Sequence, residues 1–316
     1  MKSSGIGGQA VLEGIMMKNG TWYAVAVRKP DQTIEVKKEE YRGVSAGHRW
    51  MQKPFIRGVF NFIDSLILGM QTLTYSASFY EEEEETEESK KEGFLDRFLS
   101  PEKQESLLMA GTVVLAVVLA VGIFMILPMF CARFMERFIE NSFVTALLEG
   151  VLRMAIFILY VWGISLMEDI RRTYMYHGAE HKCINCVEHG LPLTVENVRV
   201  SSKEHKRCGT SFMLFVMMIS ILVFMFLQMD NILLRMLSRI VFVPVIAGIS
   251  YEILRLAGRS DGKLINAISK PGLMLQGLTT REPDDDMIEV AIQAVEAVFD
   301  WRAYEEENFG RADDAS

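Results

Sequence analysis

Residues 107–130 read LLMAGTVVLAVVLAVGIFMILPMF, and this stretch decides the fold class. It holds no charge, and about 20 helical residues suffice to cross the hydrocarbon core of a bilayer. A water-soluble domain scatters its apolar residues in short periodic runs, whereas here they come in blocks. Of two further apolar blocks, 210–228 is nearly as clear, and 143–167 carries Glu149 and Arg153, which share a helix face at i, i+4. A fourth, 240–257, is weaker because it contains Pro244, Glu252 and Arg255. A charge at mid-bilayer costs roughly 2.5–3.5 kcal/mol, so Glu252 must lie near an interface or have a partner. The expectation is a mainly α membrane protein with about four transmembrane helices.

Lys and Arg number fifteen in the 87–106, 169–209 and 258–281 stretches and four in 131–142 and 229–239. By the positive-inside rule, both termini and the 169–209 loop are then cytoplasmic in a multi-pass protein. The start of the chain, MKSSGIGGQAVLEG, has no apolar run of the kind a cleavable signal needs, so insertion would use internal spans. The net charge of −8 owes much to the acidic run EEEEETEE at 81–88, which reads as a solvated linker. No basic stripe with interleaved aromatics is present, which argues against a nucleic-acid partner.

Ile56, Val59, Phe60, Ile63, Ile67 and Met70 repeat at helical spacing within 55–80, as in an interfacial or core-packed helix. The alternative, a fifth span there, would move the N-terminal region outside and leave the 169–209 loop inside. Apolar and polar residues alternate on both sides of KPDQ in 21–41, a β-hairpin signal with Pro in the turn. Ile288, Ala291, Ile292, Val295, Val298 and Phe299 form an amphipathic helical stripe behind an acidic start, expected to dock on the cytosolic face. The organisation is thus a small β-containing region over 1–54, an amphipathic helix over 55–80 and an acidic linker over 81–106. A four-span domain over 107–258 follows, then a cytosolic segment with an amphipathic helix over 259–316.

Candidate chemistry collects in the 169–209 loop, between the second and third spans. The stretch 169–189, taken as a helix continuing out of the second span, carries YHGAEHK at 176–182. On such a helix His177 and His181 lie about 40° apart and Glu180 about 60° to the other side of His177, all on one face. Gly178 and Ala179 keep the back of the turn narrow. His-x-x-Glu-His is a zinc-protease pattern in which two imidazoles hold the metal and the Glu acts as general base. HKRCGTSF at 205–212 brings His205 and Cys208 to the start of the next span. Imidazole and thiolate together suit zinc best, ahead of Fe²⁺ or Mn²⁺. Glu252 or Cys186 would serve as an extra ligand or support an imidazole N–H. A second arrangement, Cys183 and Cys186 with His205 and Cys208, has the spacing of a structural zinc knuckle. Spacing does not separate the two. GGQAVLEG at 7–14 lacks the Lys-Ser/Thr ending of a phosphate loop and reads as glycine-allowed tight backbone, with Gln9 and Glu13 as candidate site-lining residues.

Five segments, GGQAVLEGIMMKNG (7–20), YHGAEHK, LTVENV (193–198), HKRCGTSF and KPGLMLQGLTTREPDDDMIEVAI (270–292), together resemble the bacterial YqhQ-like membrane proteins. That family is of unknown function and is commonly labelled a predicted metal-dependent enzyme. The resemblance runs over almost the whole chain. It implies a bacterial inner-membrane protein and keeps His177, Glu180, His181, His205 and Cys208 without requiring Cys183 and Cys186, favouring the first arrangement. The expected activity is metal-dependent hydrolysis of a lipid-linked or membrane-protein substrate, with Glu180 as catalytic base. The alternatives are a non-catalytic scaffold or lipid-handling protein clamped by structural zinc, and a transporter using Glu149, Arg153 and Glu252. Substrate and oligomeric state stay open.

Overall fold

The computed structural model describes residues 2–80, 101–227, 229, 231–258 and 262–310. The acidic run 81–88 lies outside them. Four antiparallel strands, β1 (Gly7–Val11), β2 (Gly14–Asn19), β3 (Trp22–Arg28) and β4 (Ile34–Glu40), form a sheet in the order of the chain. The β3–β4 hairpin is the one the alternation around KPDQ predicts. The first hairpin, β1–β2, is made by the glycine-rich 7–14 motif, whose turn residue Glu13 takes a positive φ of 47°. Arg172 pairs with both Glu13 carboxylate oxygens at 2.5 Å, which holds that turn in place.

Among the described residues, four helical stretches are long and apolar enough to cross a membrane: Ala110–Met135, Ser142–Ile164, Gly209–Phe226 and Leu233–Ala257. The first joins α2 (Pro101–Val121) to α3 (Leu127–Met135) through a widened π turn. The others are α4 (Ser142–Ile164), α7 (Gly209–Phe226) and α8 (Ile232–Ala257). In the most apolar window of each, between 11% and 28% of the residues are buried.

The chain divides into two compact units. One combines residues 81–160 with 220–236, and the other contains 1–80, 161–219 and 237–316. In the first, Phe124 packs edge-on against Phe157 and Tyr160, and Gly150 lets Ile221 approach the backbone of α4. Glu149 and Arg153 pair at 2.8 Å one turn apart on the same helix.

The second unit is built around the sheet. One face packs on α5 (Glu168–Glu188) and α10 (Asp285–Val298), where Ile15, Met17 and Ala26 meet Ala179, Cys183 and Ile288. The other face packs on α1 (Ile56–Ala77), with Val11, Met16, Val25 and Val27 around Leu68. Strand β3 is therefore buried on both sides, and only the charged edge strand β4 faces out. Helix α10 is consequently a core element of this unit, its apolar stripe covering one face of the sheet. Each large aliphatic side chain so buried contributes about 1.5–3 kcal/mol.

Helix α5 does not continue α4. The chain turns at Ser165–Met167, Met167 is extended (ψ 138°), and Glu168 and Asp169 begin a new helix. Acidic residues in a first turn favour a fresh N-terminus by interacting with the helix dipole. The chain then runs through α6 (Val195–Val200) to α7, and after α8 through α9 (Lys263–Thr279) to α10 and the short α11 (Trp301–Phe309).

Candidate metal centre

Helix α5 is polar by composition, yet Gly178–Glu188 is an unbroken buried run. An unpaired buried polar group costs about 1–3 kcal/mol, so such a helix needs partners. The 199–207 segment supplies them. Lys182 Nζ donates to Arg199 O and Ser201 O at 2.8 and 2.9 Å and pairs with Glu282 at 2.9 Å. Asn185 Nδ2 donates to Ser202 O and Glu204 O at 2.6 and 2.9 Å. Glu188 accepts from the Ser4 backbone N–H and hydroxyl, each at 2.8 Å, and pairs with Arg207. Wrapping this segment around α5 brings His205 and Cys208 to the helix that carries His177 and His181.

Three side chains converge there: His177, His181 and Cys208 offer ligand atoms that all lie within 4.8 Å of one another. His177 Nε2 is 3.2 Å from Cys208 Sγ, and the two imidazole centroids are 4.4 Å apart. His177 Nδ1 lies 2.8 Å from Thr279 O, and His181 Nδ1 lies 2.7 Å from Lys203 O. A carbonyl oxygen only accepts, so both Nδ1 atoms carry the hydrogen. The Nε2 atoms are then the acceptors, and that of His177 faces Cys208 Sγ. Fixing the tautomer through the far nitrogen is how metal-binding histidines are held. Thr210 Oγ1 sits 3.0 Å from Cys208 Sγ.

Glu180 and His205 stand beside the trio and outside it. Glu180 is buried, with one oxygen, Oε2, lacking any hydrogen-bond partner. Burial pushes its carboxyl up to about 7, against the opposing pull of His177 and the Gly8 N–H. The first hairpin thus reaches the site: a Cβ on Gly8 would come within 3.0 Å of the Glu180 carboxyl carbon. Of the two other motif residues singled out in the sequence, Gln9 packs on Gly69 of α1, and Glu13 engages Arg172 and accepts from Tyr176. His205 Nε2 faces Glu188 Oε2 at 3.5 Å, too long for a good hydrogen bond, with its ring centroid 5.8 Å from that of His181. Burial lowers the His205 pKa to about 4, so it is neutral at physiological pH. Thr279 Oγ1 is a third orphaned polar atom here.

The knuckle arrangement is not assembled. Cys183 and Cys186 lie on the sheet side of α5, inside the hydrophobic core. Burial raises the Cys183 thiol well above its usual range and Cys186 to about 12, and Cys186 Sγ donates to Leu191 O at 3.4 Å. Glu252 is likewise not at the cluster: it is taken by Arg57, whose Nε donates at 2.7 Å, and by the Phe55 N–H at 3.2 Å. A carboxylate so paired solves its own burial problem and supports no imidazole.

Sequence reasoning missed the groups that position the trio: the carbonyls of Lys203 and Thr279, the Gly8 amide, Glu188 and Gln276. Gln276, fully buried, accepts from His205 N at 2.9 Å and donates to His205 O at 2.8 Å. Backbone carbonyls leave no mark in a sequence, and a lone Gln has no signature of its own.

With four candidate spans among the described residues and a largely buried His₂Cys cluster, this is, as a class, a membrane-protein candidate with a candidate metal centre. It belongs to the family described as "Protein of unknown function (DUF1385)", whose model matches residues 53–301. It is 33% identical over 308 residues to "Uncharacterized protein YqhQ" of Bacillus subtilis (strain 168), covering 96% of this chain and 94% of that one. No match to a solved structure was found.

Proposed function

We propose that this is a multi-pass inner-membrane protein that holds zinc at its cytosolic face and hydrolyses a membrane-associated substrate. The observation that carries the reading is the convergence of His177, His181 and Cys208 ligand atoms within 4.8 Å, with both Nδ1–H groups pinned to the Thr279 and Lys203 carbonyls and His177 Nε2 facing Cys208 Sγ. The donor chemistry fits the metal: two imidazoles and a cysteine sulfur are a zinc set, and three protein donors are the number found in catalytic zinc sites. Bound zinc supplies Lewis acidity toward a substrate carbonyl or phosphoryl oxygen and toward water. Glu180 is the candidate general base. Its carboxylate is beside the trio but not part of it, and a carboxyl raised to about 7 exchanges protons readily near neutral pH. The Gly8 N–H orients one Glu180 oxygen and leaves the other free.

The cytosolic placement rests on the Lys and Arg distribution between the loops. A purely structural zinc would need a fourth protein donor. His205 is the nearest candidate, yet its Nε2 is turned to Glu188. The transporter reading loses its pathway charges: Glu149 and Arg153 are an intrahelical pair, and Glu252 is held by Arg57.

Metal analysis of purified protein tests the reading, alongside complementation of a deletion strain. Glu180→Gln is expected to keep stoichiometric zinc and to lose complementation, whereas His181→Ala loses both. Full complementation by Glu180→Gln would remove the catalytic assignment, and wild-type protein without bound metal would remove the centre itself.

A further inference from the structure

Two helices of the sheet-containing unit are inside out for a protein in water. On α1 the residues facing the protein are small or polar: Gly58, Asp64, Gly69, Thr72 and Ser76, with Leu68 as the exception. Its outward stripe is Ile63, Leu66, Ile67, Met70 and Leu73, with Leu66 53% and Met70 59% exposed. On α9 the inward residues are Ser269, Gly272, Gln276 and Thr279, with Leu275 among them. Leu264 and Met274 on its outer side are 73% and 70% exposed. Single exposed aliphatics are ordinary, but two aligned stripes mark an interaction surface.

Their location says what covers them. Phe62 of α1 packs on Phe212 in the first turn of α7, with centroids 5.5 Å apart. A Cβ on Gly58 would meet Tyr251 and Gly248 near the end of α8, and one on Gly272 of α9 would meet Ser211. Both helices thus abut the same end of two candidate spans, so their apolar stripes continue the lipid-facing surface of those spans. The approach to α1 carries exposed Arg49, Trp50, Lys53 and Phe55, and α9 carries exposed Lys263 and Lys270. Cationic and aromatic residues rimming an apolar face are the composition of a membrane–water interface.

Nor is α1 a hidden fifth span. Asp64 accepts from Tyr41 Oη and Val44 N at 3.0 and 2.7 Å, and Ser76 Oγ accepts from Leu12 N at 3.1 Å. The helix is fastened along its length to the sheet and the segment after it.

We infer that α1 and α9 lie in the plane of the membrane as a collar around one end of α7 and α8, their outer faces sunk in lipid. This rests on the membrane reading above and goes beyond it. The collar also sets the depth of the metal centre, because the last turn of α9 supplies Thr279 O to His177 and Gln276 to the His205 backbone. The cluster would then stand at headgroup level, suited to the polar end of a lipid-borne substrate.

Spin labels test this in the full chain, reconstituted in phosphatidylcholine–phosphatidylglycerol nanodiscs. Cys131→Ser removes the one native cysteine that is not buried. Single cysteines then replace Met70 and Met274 in the collar, Leu119 in the first span and Val200 as a water-exposed control. Oxygen against water-soluble nickel chelate accessibility reports depth. Labels at 70 and 274 are expected about 5–10 Å below the phosphates, with 119 deeper and 200 in water. Labels at 70 and 274 in water, with 119 in lipid, would overturn the collar and leave the spans standing. A label at 70 as deep as that at 119 would overturn it in favour of a fifth span. A label at 119 in water would remove the membrane reading itself.

Discussion

Gly178 separates His177 from Ala179 on α5, and a Cβ there would run into the carbonyl oxygen of Arg281. Ala in place of Gly gains about 1 kcal/mol of helix propensity. Overpacking against a backbone group costs about 1–3 kcal/mol, so the clash wins. Gly178→Ala should therefore lower the thermal stability of the purified protein and reduce its zinc content, because Thr279, which holds His177, lies two residues before Arg281. The sequence shows why a small residue is wanted at this turn of YHGAEHK, but it does not show what approaches. The same holds for Glu180, which the motif exposes as the residue to test, while the Gly8 amide that orients it comes from a strand some 170 positions away.

At the scale of the element, α9 is the piece whose role sequence reasoning passes over. Its inward face carries Gln276, which closes two hydrogen bonds on the His205 backbone and a third on Ser211 Oγ at 2.8 Å. Gln276→Leu keeps the volume but strands a buried N–H and a buried carbonyl, each costing about 1–3 kcal/mol. The segment bearing Cys208 should loosen, and zinc affinity measured by chelator competition should fall about 10–100-fold, the usual cost of losing a ligand's support. Unchanged affinity would show that the 203–208 segment is held without α9. The four candidate spans, by contrast, are legible directly, since a run of some twenty apolar residues has few other uses. The separation of α5 from α4 is less legible: no Pro marks the break, and Gly163 at the end of α4 and the acidic pair Glu168–Asp169 are the local hints of a stop and a new N-terminus.

For the molecule as a whole, acid should act through the Glu188–His205–Arg207 group that ties the wrapped segment to α5. His205 has its pKa lowered to about 4 by burial, so between its unfolded value of about 6.5 and 4 the unfolded chain binds more protons. Stability of the sheet-containing unit should fall on acidification through that window, by at most about 1.4 kcal/mol per pH unit. Burial alone would raise Glu188, but the nearby His205 imidazole, the hydrogen bonds and charge of Arg207 and the Ser4 N–H hold it at about 2. Its contribution is present above the ordinary carboxylate range and is lost as pH falls toward 2, at more acidic pH than the His205 effect. Thermal melts of metal-free protein from pH 7 to 4 check this, and His205→Gln should flatten the upper part of the profile.

The sequence by itself determined the candidate spans, the β3–β4 hairpin, and the identity of His177, His181 and Cys208 as residues capable of holding a metal. These follow from apolar length, alternation and side-chain chemistry, which are local properties. Only the tertiary structure decided that Cys183 and Cys186 belong to the core, that Glu252 belongs to Arg57, and that His205 is turned to Glu188. Each of those outcomes depends on which distant group satisfies a buried polar atom, and spacing along the chain does not encode that. The inverted faces of α1 and α9 were hidden for the same reason: a helical stripe shows in the sequence, but the side of it that faces the protein does not.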